Sequence, residues 1–298
     1  ASVVGGTVWL FARPEFAGAF SHIFVDEAGQ VSIANLMASS GCARNIVLVG
    51  DQMQLPQPIQ GVHPGETALS TLEYLLGDQH AVAADRGIFL PVSRRMHPDV
   101  CGVVSRLAYD GRLKSDENAA RQAILFPHGG LPSSGVAFVD VAHVDNSQES
   151  QEEADAVCAT FNRLLNASFI DREGVERKMT VDDILVVSPY NAQVNLLASK
   201  LPDGARVGTV DRFQGQEAPA CLISFATSSG VELPRGIDFL FSLNRLNVAI
   251  SRAQALAMLF CSPRLLDIQC TTLEEMRLVN ALCMVREAAY RPPRNKFD

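Results

Sequence analysis

Short apolar runs bounded by turn residues alternate with longer stretches of helical period along the whole chain. The runs predict strands at 22–25, 45–49, 136–141, 184–187, 206–210, 221–226 and 257–261. The longer stretches predict helices at 65–76, 98–108, 147–166, 191–200, 244–251 and 272–289. Pro98 stands near the first turn of the second helix, where its missing N–H costs nothing. The acidic stretch 148–155 suits the first turn of the third, since carboxylates are favoured at that end. Strand and helix in alternation imply an α/β fold with parallel sheets. The helical pattern stops at 85–92, where Gly87 and Pro91 bracket a short apolar run, and a domain boundary is expected there. Residues 291–298, with two prolines and mixed charge, read as a tail. No internal repeat or low-complexity tract is present.

Composition narrows the picture. The 298 residues are 47% hydrophobic, enough for one large domain or two smaller ones. No apolar run approaches the ~20 residues of a membrane span, so a soluble protein with no membrane partner is expected. The chain opens inside an apolar segment (Val3, Val4, then Val8 to Phe11) without a charged-then-apolar leader, and reads as a piece of something longer. Seven scattered cysteines form no CxxC pair, and the six histidines form no cluster of metal-ligand spacing. Buried reduced thiols and a cytoplasmic location follow. A net charge of -8 argues against a uniformly basic nucleic-acid binder. Bases are nonetheless concentrated after Ser93, at Arg94, Arg95, Arg106, Arg112 and Lys114, and a local basic strip can line a groove on an acidic protein.

Two strand ends carry chemistry. Ile23-Phe24-Val25 ends in the adjacent carboxylates Asp26 and Glu27. Ligands of open α/β sheets gather at the carboxyl ends of strands. One acid there can hold Mg²⁺ on a nucleotide, and a second can orient or deprotonate water. The bland reading of such a pair is a solvated turn. Ile46-Val47-Leu48-Val49 repeats the geometry and ends at Gly50, where the chain can turn tightly. Asp51-Gln52-Met53-Gln54-Leu55-Pro56 then presents amides able to sense a phosphate.

At these residues the chain resembles the superfamily 1 nucleic-acid helicases. Asp26-Glu27-Ala28-Gly29-Gln30 is similar to their motif II and Gly50–Pro56 to motif III. Ser93-Arg94-Arg95-Met96-His97-Pro98 is similar to motif IV, Val207 through Glu217 to motif V, and Leu246 through Ala253 to motif VI. The five stand in the family's order over almost the whole chain. They resemble the 5′-to-3′ branch that includes the nonsense-mediated-decay helicase and the Okazaki-fragment helicase-nuclease. The resemblance implies two tandem RecA-like domains with ATP in the cleft between them: a partial first domain at 1–91 and a second at 92–298 with a C-terminal helix. Asp26 then binds Mg²⁺, directly or through water, Glu27 activates the attacking water, and Gln54 contacts the γ-phosphate. Arg95 and Arg252 place positive charge on the transferring oxygens, a contribution of ~10³–10⁵ in rate. Glu217 meets the ribose, and Gly215 lets the backbone approach. Thr209 touches the nucleic-acid backbone. Ser188, Pro189 and Tyr190 face either the ATP cleft or the nucleic-acid track. Asp211, Arg212 and Gln214 either join these contacts or hold the two domains together.

The sequence departs from the family in places. No GxxxxGK[ST] occurs in it, and Gly5-Gly6-Thr7 lacks both the lysine and the spacing. In the family the phosphate loop precedes motif II. The chain therefore reads as the later part of a motor, and by itself it is expected to bind ATP weakly and hydrolyse it negligibly. Gln254 replaces a second motif VI arginine of many relatives. Arg94 stands where an aromatic residue is found in the decay helicase, so no stacking role is carried over. The expected activity is ATP-driven movement on single-stranded nucleic acid, DNA favoured over RNA, with a nuclease domain possible in the same parent chain. The alternative is a non-catalytic nucleic-acid-binding or scaffold module of the same fold. Against it stand the Asp26-Glu27 pair and both arginines, which such a module does not need. A dehydrogenase is excluded by the lack of GxGxxG after a strand.

Overall fold

A computed structural model describes residues 3–56, 61, 64–77, 79, 81–228 and 242–290. The predicted tail at 291–298 lies outside them. The chain divides into two compact units, Ala1–Phe89 and Leu90–Asp298.

In the first unit, β1 (Phe20–Val25) and β2 (Ala43–Leu48) pair in parallel, Ile23 opposite Ile46 and Val25 opposite Leu48. Helix α1 (Val8–Phe11) precedes them, and α2 (Ile33–Ser40) connects them. The Ser32 side chain starts α2 by accepting from Asn35 N–H at 3.2 Å. Phe11, Phe16 and Phe20 pack with ring centroids 5.6–6.2 Å apart. The helix expected at 65–76 is broken: a 3₁₀ turn covers Gly65–Ala68 and α3 covers only Thr71–Leu76. Ser70 and Glu73 form a capping box that restarts the helix, while Leu69 is extended.

The second unit is built on five parallel strands in the order β10-β9-β11-β12-β6. In chain order its elements are β3 (Val92–Ser93), α4 (Pro98–Ala108), β4 (Lys114–Ser115), β5 (Ala123–Leu125), β6 (Gly135–Asp140) and α5 (Gln151–Leu165). They continue with β7 (Ser168–Ile170), β8 (Glu176–Lys178), β9 (Ile184–Val187), α6 (Asn191–Lys200) and β10 (Arg206–Gly208). The last are β11 (Ala218–Ser224), α7 (Leu243–Ser251), β12 (Ala253–Cys261) and α8 (Leu273–Ala288). The parallel α/β architecture expected from the alternation is borne out. All of β9 and β11 is buried, as continuous apolar strands covered on both faces must be. Phe161 and Leu164 of α5, Leu197 of α6, Leu222, Leu256, Met258 and Phe260 form the core beneath them.

Two differences from the sequence reading have local causes. The third long helix starts at Gln151, because Ser150 Oγ accepts from Glu153 N–H and fixes the first turn. Strand β10 ends at Gly208, since Val210 is already helical (φ -54, ψ -41). A small antiparallel sheet, β5-β7-β8, and helix α2 were not foreseen. At the far edge, α8 is tied to β6 by Arg286 on Asp140 (2.8 Å) and by Tyr290, whose N–H donates to Val136 O at 2.8 Å. Among the described residues no helix is long and apolar enough to cross a membrane, and all seven cysteines are free.

Candidate functional site

In the first unit the ends of β1 and β2 are locked backbone to backbone. Val49 N–H donates to Val25 O and Ala28 N–H to Val49 O, each at 2.9 Å. A Cβ on Gly50 would lie 2.7 Å from Ala28 N, and one on Gly29 would lie 2.9 Å from Asp51 O. Glycine at both positions therefore lets motifs II and III touch, which is what brings Asp26, Glu27 and Gln54 onto one carboxyl edge. Asp26 and Glu27 are exposed. Asp26 Oδ1 accepts from Glu27 N–H at 3.0 Å, and Glu27 itself is left-handed (φ 52), which turns its side chain off the strand path. Asp51, given no individual role by the sequence, organises motif III. Its Oδ1 accepts from Met53 N–H at 2.9 Å, and its Oδ2 accepts from Gln54 Nε2 at 3.2 Å. An aspartate turning a chain just past a strand was the available signal. Gln30 Nε2, at the end of motif II, is a buried donor without an acceptor among the described residues.

In the second unit the singled-out residues fall into two groups at opposite ends of one parallel sheet. β11, seven residues long, sets the ends about 20 Å apart. The amino-end group joins motifs IV, V and VI. Glu217 immediately precedes β11 and Arg252 immediately precedes β12. Arg95 Nε is ion-paired with Glu217 Oε2, and Arg95 Nη1 donates to Ser251 O at 3.3 Å. Gln254 Nε2 donates to Glu217 Oε1 at 2.8 Å, so the residue in place of the family's second arginine is a clamp on the acid. Burial pushes the Glu217 carboxyl up. Its bonds to Gln254 and Arg95, and the charges of Arg95 and Arg252, outweigh this and hold it below the usual carboxylate range. Arg252 is only 2% exposed; its Nε donates to Val248 O and its Nη1 to Gln216 O, both at 3.2 Å. Gly215 lies just upstream, exposed and left-handed (φ 73).

The carboxyl-end group holds Ser188, Pro189 and Tyr190 after β9 and Thr209 after β10. Ser188 N–H donates to Gly208 O at 3.2 Å, joining the two strand ends. Ser188 is fully buried, Tyr190 is 3% exposed, and Pro189 and Thr209 are half-buried. Tyr190 stands with Thr209, not with Arg95, Glu217 and Arg252. Gly208 leaves room for the Arg212 side chain, whose Cδ would lie 2.7 Å from a Cβ there. Arg212 Nη1 donates back to Val207 O at 3.1 Å, within the same turn.

Sequence reasoning missed a buried polar network at this same end. Glu153 Oε2 accepts from Ser224 Oγ (2.6 Å) and Ala226 N–H (2.8 Å), and its Oε1 lies 2.9 Å from His143 Nε2. His143 Nδ1 lies 2.6 Å from Ser228 Oγ. Gln193 Nε2 donates to Ser224 Oγ at 2.9 Å. The signal was present: Glu153 falls on the stripe of Val157, Phe161 and Leu164, where an acid is buried by the helix period.

For a divalent metal, the described residues contain no group of three or more candidate ligands. The exposed Asp26 carboxylate suits an ion that takes one protein oxygen and completes its shell with phosphates and water, as Mg²⁺ does.

Residues 69–264 match a protein family described as AAA domain. The DNA replication ATP-dependent helicase/nuclease dna2 of Schizosaccharomyces pombe is 29% identical over 263 residues, covering 82% of this chain and 18% of that protein. The putative helicase mov-10-B.1 of Danio rerio is 30% identical over 291 residues, covering 84% of this chain and 28% of its own length. Helicase sen1 of S. pombe is 28% identical over 250 residues, covering 79% and 14%. The chain thus spans well under half of each relative. Five ordered motifs and a family match across two thirds of the residues lead to one assignment: the chain belongs to the AAA-domain family, and its relatives are superfamily 1 helicases of the 5′-to-3′ branch.

Proposed function

We propose that this chain is part of an ATP-driven motor that moves on single-stranded nucleic acid. The observation that carries the reading is the amino-end group, where Arg95, Glu217 and Arg252, from three distant stretches, stand in one hydrogen-bonded cluster. Phosphoryl transfer needs little covalent chemistry from the protein and much placed charge. Arg95 and Arg252 supply that charge in a fork that lysine cannot copy. Glu217 and Gly215 receive the ribose. Asp26 would hold Mg²⁺, which when bound neutralises charge on the β- and γ-phosphates. Glu27, exposed and left-handed, accepts the proton of the attacking water. Gln54, held by Asp51, contacts the γ-phosphate, so hydrolysis is felt in the motif III turn.

No GxxxxGK[ST] occurs in the 298 residues, so in this reading a phosphate loop comes from outside them, and these residues alone hydrolyse ATP negligibly. Thr209 and the Ser188-Pro189-Tyr190 turn, at the carboxyl end of the sheet, shape the track for the strand. The strand is taken to be DNA; support comes from the dna2 relative, whose name states DNA replication. The same name pairs helicase with nuclease, so a nuclease domain in the parent chain belongs to this reading, as does an intracellular, reducing compartment.

The test uses a protein carrying these residues together with a phosphate loop. Glu27→Gln is isosteric at an exposed site. It is expected to cut nucleic-acid-stimulated ATP turnover by ~10²-fold or more while nucleotide affinity holds. Turnover within twofold of wild type would remove Glu27 from the chemistry and the reading with it. Parallel arms with oligo(dT) and oligo(U) decide the sugar.

A further inference from the structure

One cavity in the second unit includes Arg94 of motif IV but none of the residues given a role in the ATP chemistry. It measures about 550 Å³ and is lined by Arg94, Asp116, Asn118, Arg121, Arg172 and Glu173. Three separate segments build it: the turn after β3, the stretch after β4, and the hairpin tip between β7 and β8. Each contributes an arginine. The carboxylates in the wall are partly engaged. Glu173 Oε1 accepts from Arg172 Nε at 2.8 Å, and Asp116 Oδ1 accepts from Asn118 N–H at 2.9 Å. The Arg94 and Arg121 guanidinium groups make no hydrogen bond or ion pair among the described residues. Three guanidinium groups against two carboxylates leave the wall with an excess positive charge. Arg172 is fixed in its charged form by Glu173, by Asp116 and, at longer range, by Glu217 of the amino-end group.

Arginines drawn from three places to one concavity repel one another, and two of them find no acidic partner although two acids stand in the same wall. An anion entering the cavity removes that repulsion. The planar forks of Arg94 and Arg121 match tetrahedral oxyanions, and a phosphate can accept from both at once. We propose that this cavity is a phosphate-binding site, lined by residues other than Arg95, Glu217 and Arg252, that takes a phosphate group of a polynucleotide backbone or of a nucleotide. The site does not depend on the ATPase reading, because none of its six residues has a role in that chemistry.

The experiment compares the 298-residue chain with its Arg94→Gln/Arg121→Gln variant; both side chains are exposed, so the fold is kept. Inorganic phosphate is titrated by calorimetry at constant ionic strength, with chloride as the control anion. Phosphate affinity is expected to fall about tenfold per arginine lost. Equal phosphate binding in the two proteins would overturn the site. Two further arms assign the source. Loss of affinity for a labelled oligo(dT), with the log–log salt slope reduced by about 1.4 for two contacts, assigns it to the backbone. A loss confined to labelled ATP assigns it to the nucleotide. No change in either arm would also overturn the proposal. The phosphate titration needs no ATP turnover, so failure of the motor reading and failure of this site are distinguishable.

Discussion

Replacing Glu153 by leucine tests how the carboxyl end of the sheet is held. The Glu153 side chain is fully buried, and its carboxylate is the meeting point of three partners: the Ser224 hydroxyl, the Ala226 amide and the His143 ring. Leucine fits the space but accepts nothing. Ser224 can rotate its hydroxyl away, and His143 can move its ring proton to Nδ1, facing Ser228 Oγ. The Ala226 amide is held, because it sits on a left-handed residue (φ 64) two residues past the end of β11. Each stranded buried donor costs ~1–3 kcal/mol. The lost contacts of the carboxylate with Ser224 and His143 contribute ~0.5–1.5 kcal/mol each. A loss of ~4 kcal/mol is therefore expected, equivalent to roughly 10 °C in Tm for a unit of this size. Glu153→Gln keeps the shape and one acceptor oxygen, and should lose about half as much. Urea denaturation followed by tryptophan-independent far-UV dichroism reads both variants. If Glu153→Leu stays within ~1 kcal/mol of wild type, the network is not what holds the turn after β11.

Gly50→Ala puts a methyl group 2.7 Å from Ala28 N. Both sides are backbone, so the cost is expected at ~1–3 kcal/mol, and an unchanged urea midpoint would mean that motifs II and III are not locked as described. Asp183 accepts from Arg177 at 2.6 and 2.7 Å and from Thr180. Burial pushes its carboxyl up, but these bonds outweigh burial and hold it below the ordinary 3.8. The folded state then binds fewer protons than the unfolded one. The resulting stability is complete above pH ~4 and lost as pH falls through the folded value. Asp183→Asn should flatten that acid limb and lower stability at pH 7; an acid limb as steep as wild type counts against the linkage. Glu217→Gln keeps a hydrogen-bonding group for a ribose but loses the charge that orients Arg95. In a protein with a phosphate loop, turnover should fall about tenfold with nucleotide affinity little changed, and the reverse pattern would make Glu217 a binding residue only.

The sequence made the elements legible where local signals agree at both ends. The predicted bounds 98–108, 184–187 and 191–200 coincide with α4, β9 and α6. Pro98 opens α4, and a four-residue apolar run bounded by Asp183 and Ser188 leaves β9 no room to slide. Strands β5, β7 and β8 are three residues each, too short for a period-2 pattern to stand out. Helix α2 has a serine cap that could have announced it, but its face carries Asn35, Ser39 and Ser40 among the apolar positions, which blurs the period. The amino-end cluster was not legible from residues alone. Arg95 and Glu217 are 122 positions apart, and only a sheet order that places β11 beside β12 brings motif V to motif VI. The resemblance named the residues; it did not say that Gln254 would clamp Glu217.

The placement of arginines at the amino ends has an electrostatic logic. In a parallel sheet the chain leaves each strand's carboxyl end into a helix N-terminus and returns from a helix C-terminus to the next amino end. Here α6 starts four residues after β9 ends, and α7 ends two residues before β12 begins. The amino edge therefore collects helix C-termini, whose unpaired carbonyls carry partial negative charge. Arg252 Nε bonds the Val248 carbonyl, and Arg95 Nη1 bonds the Ser251 carbonyl, so both arginines cap the last turn of α7. This lets Arg252 stay charged at 2% exposure. The same dipole repels a phosphate. An anion recognised at this edge gains nothing from the backbone, in contrast to one at a helix N-terminus, and all of its stabilisation must come from side chains. At this edge those side chains are the guanidinium groups of Arg95 and Arg252.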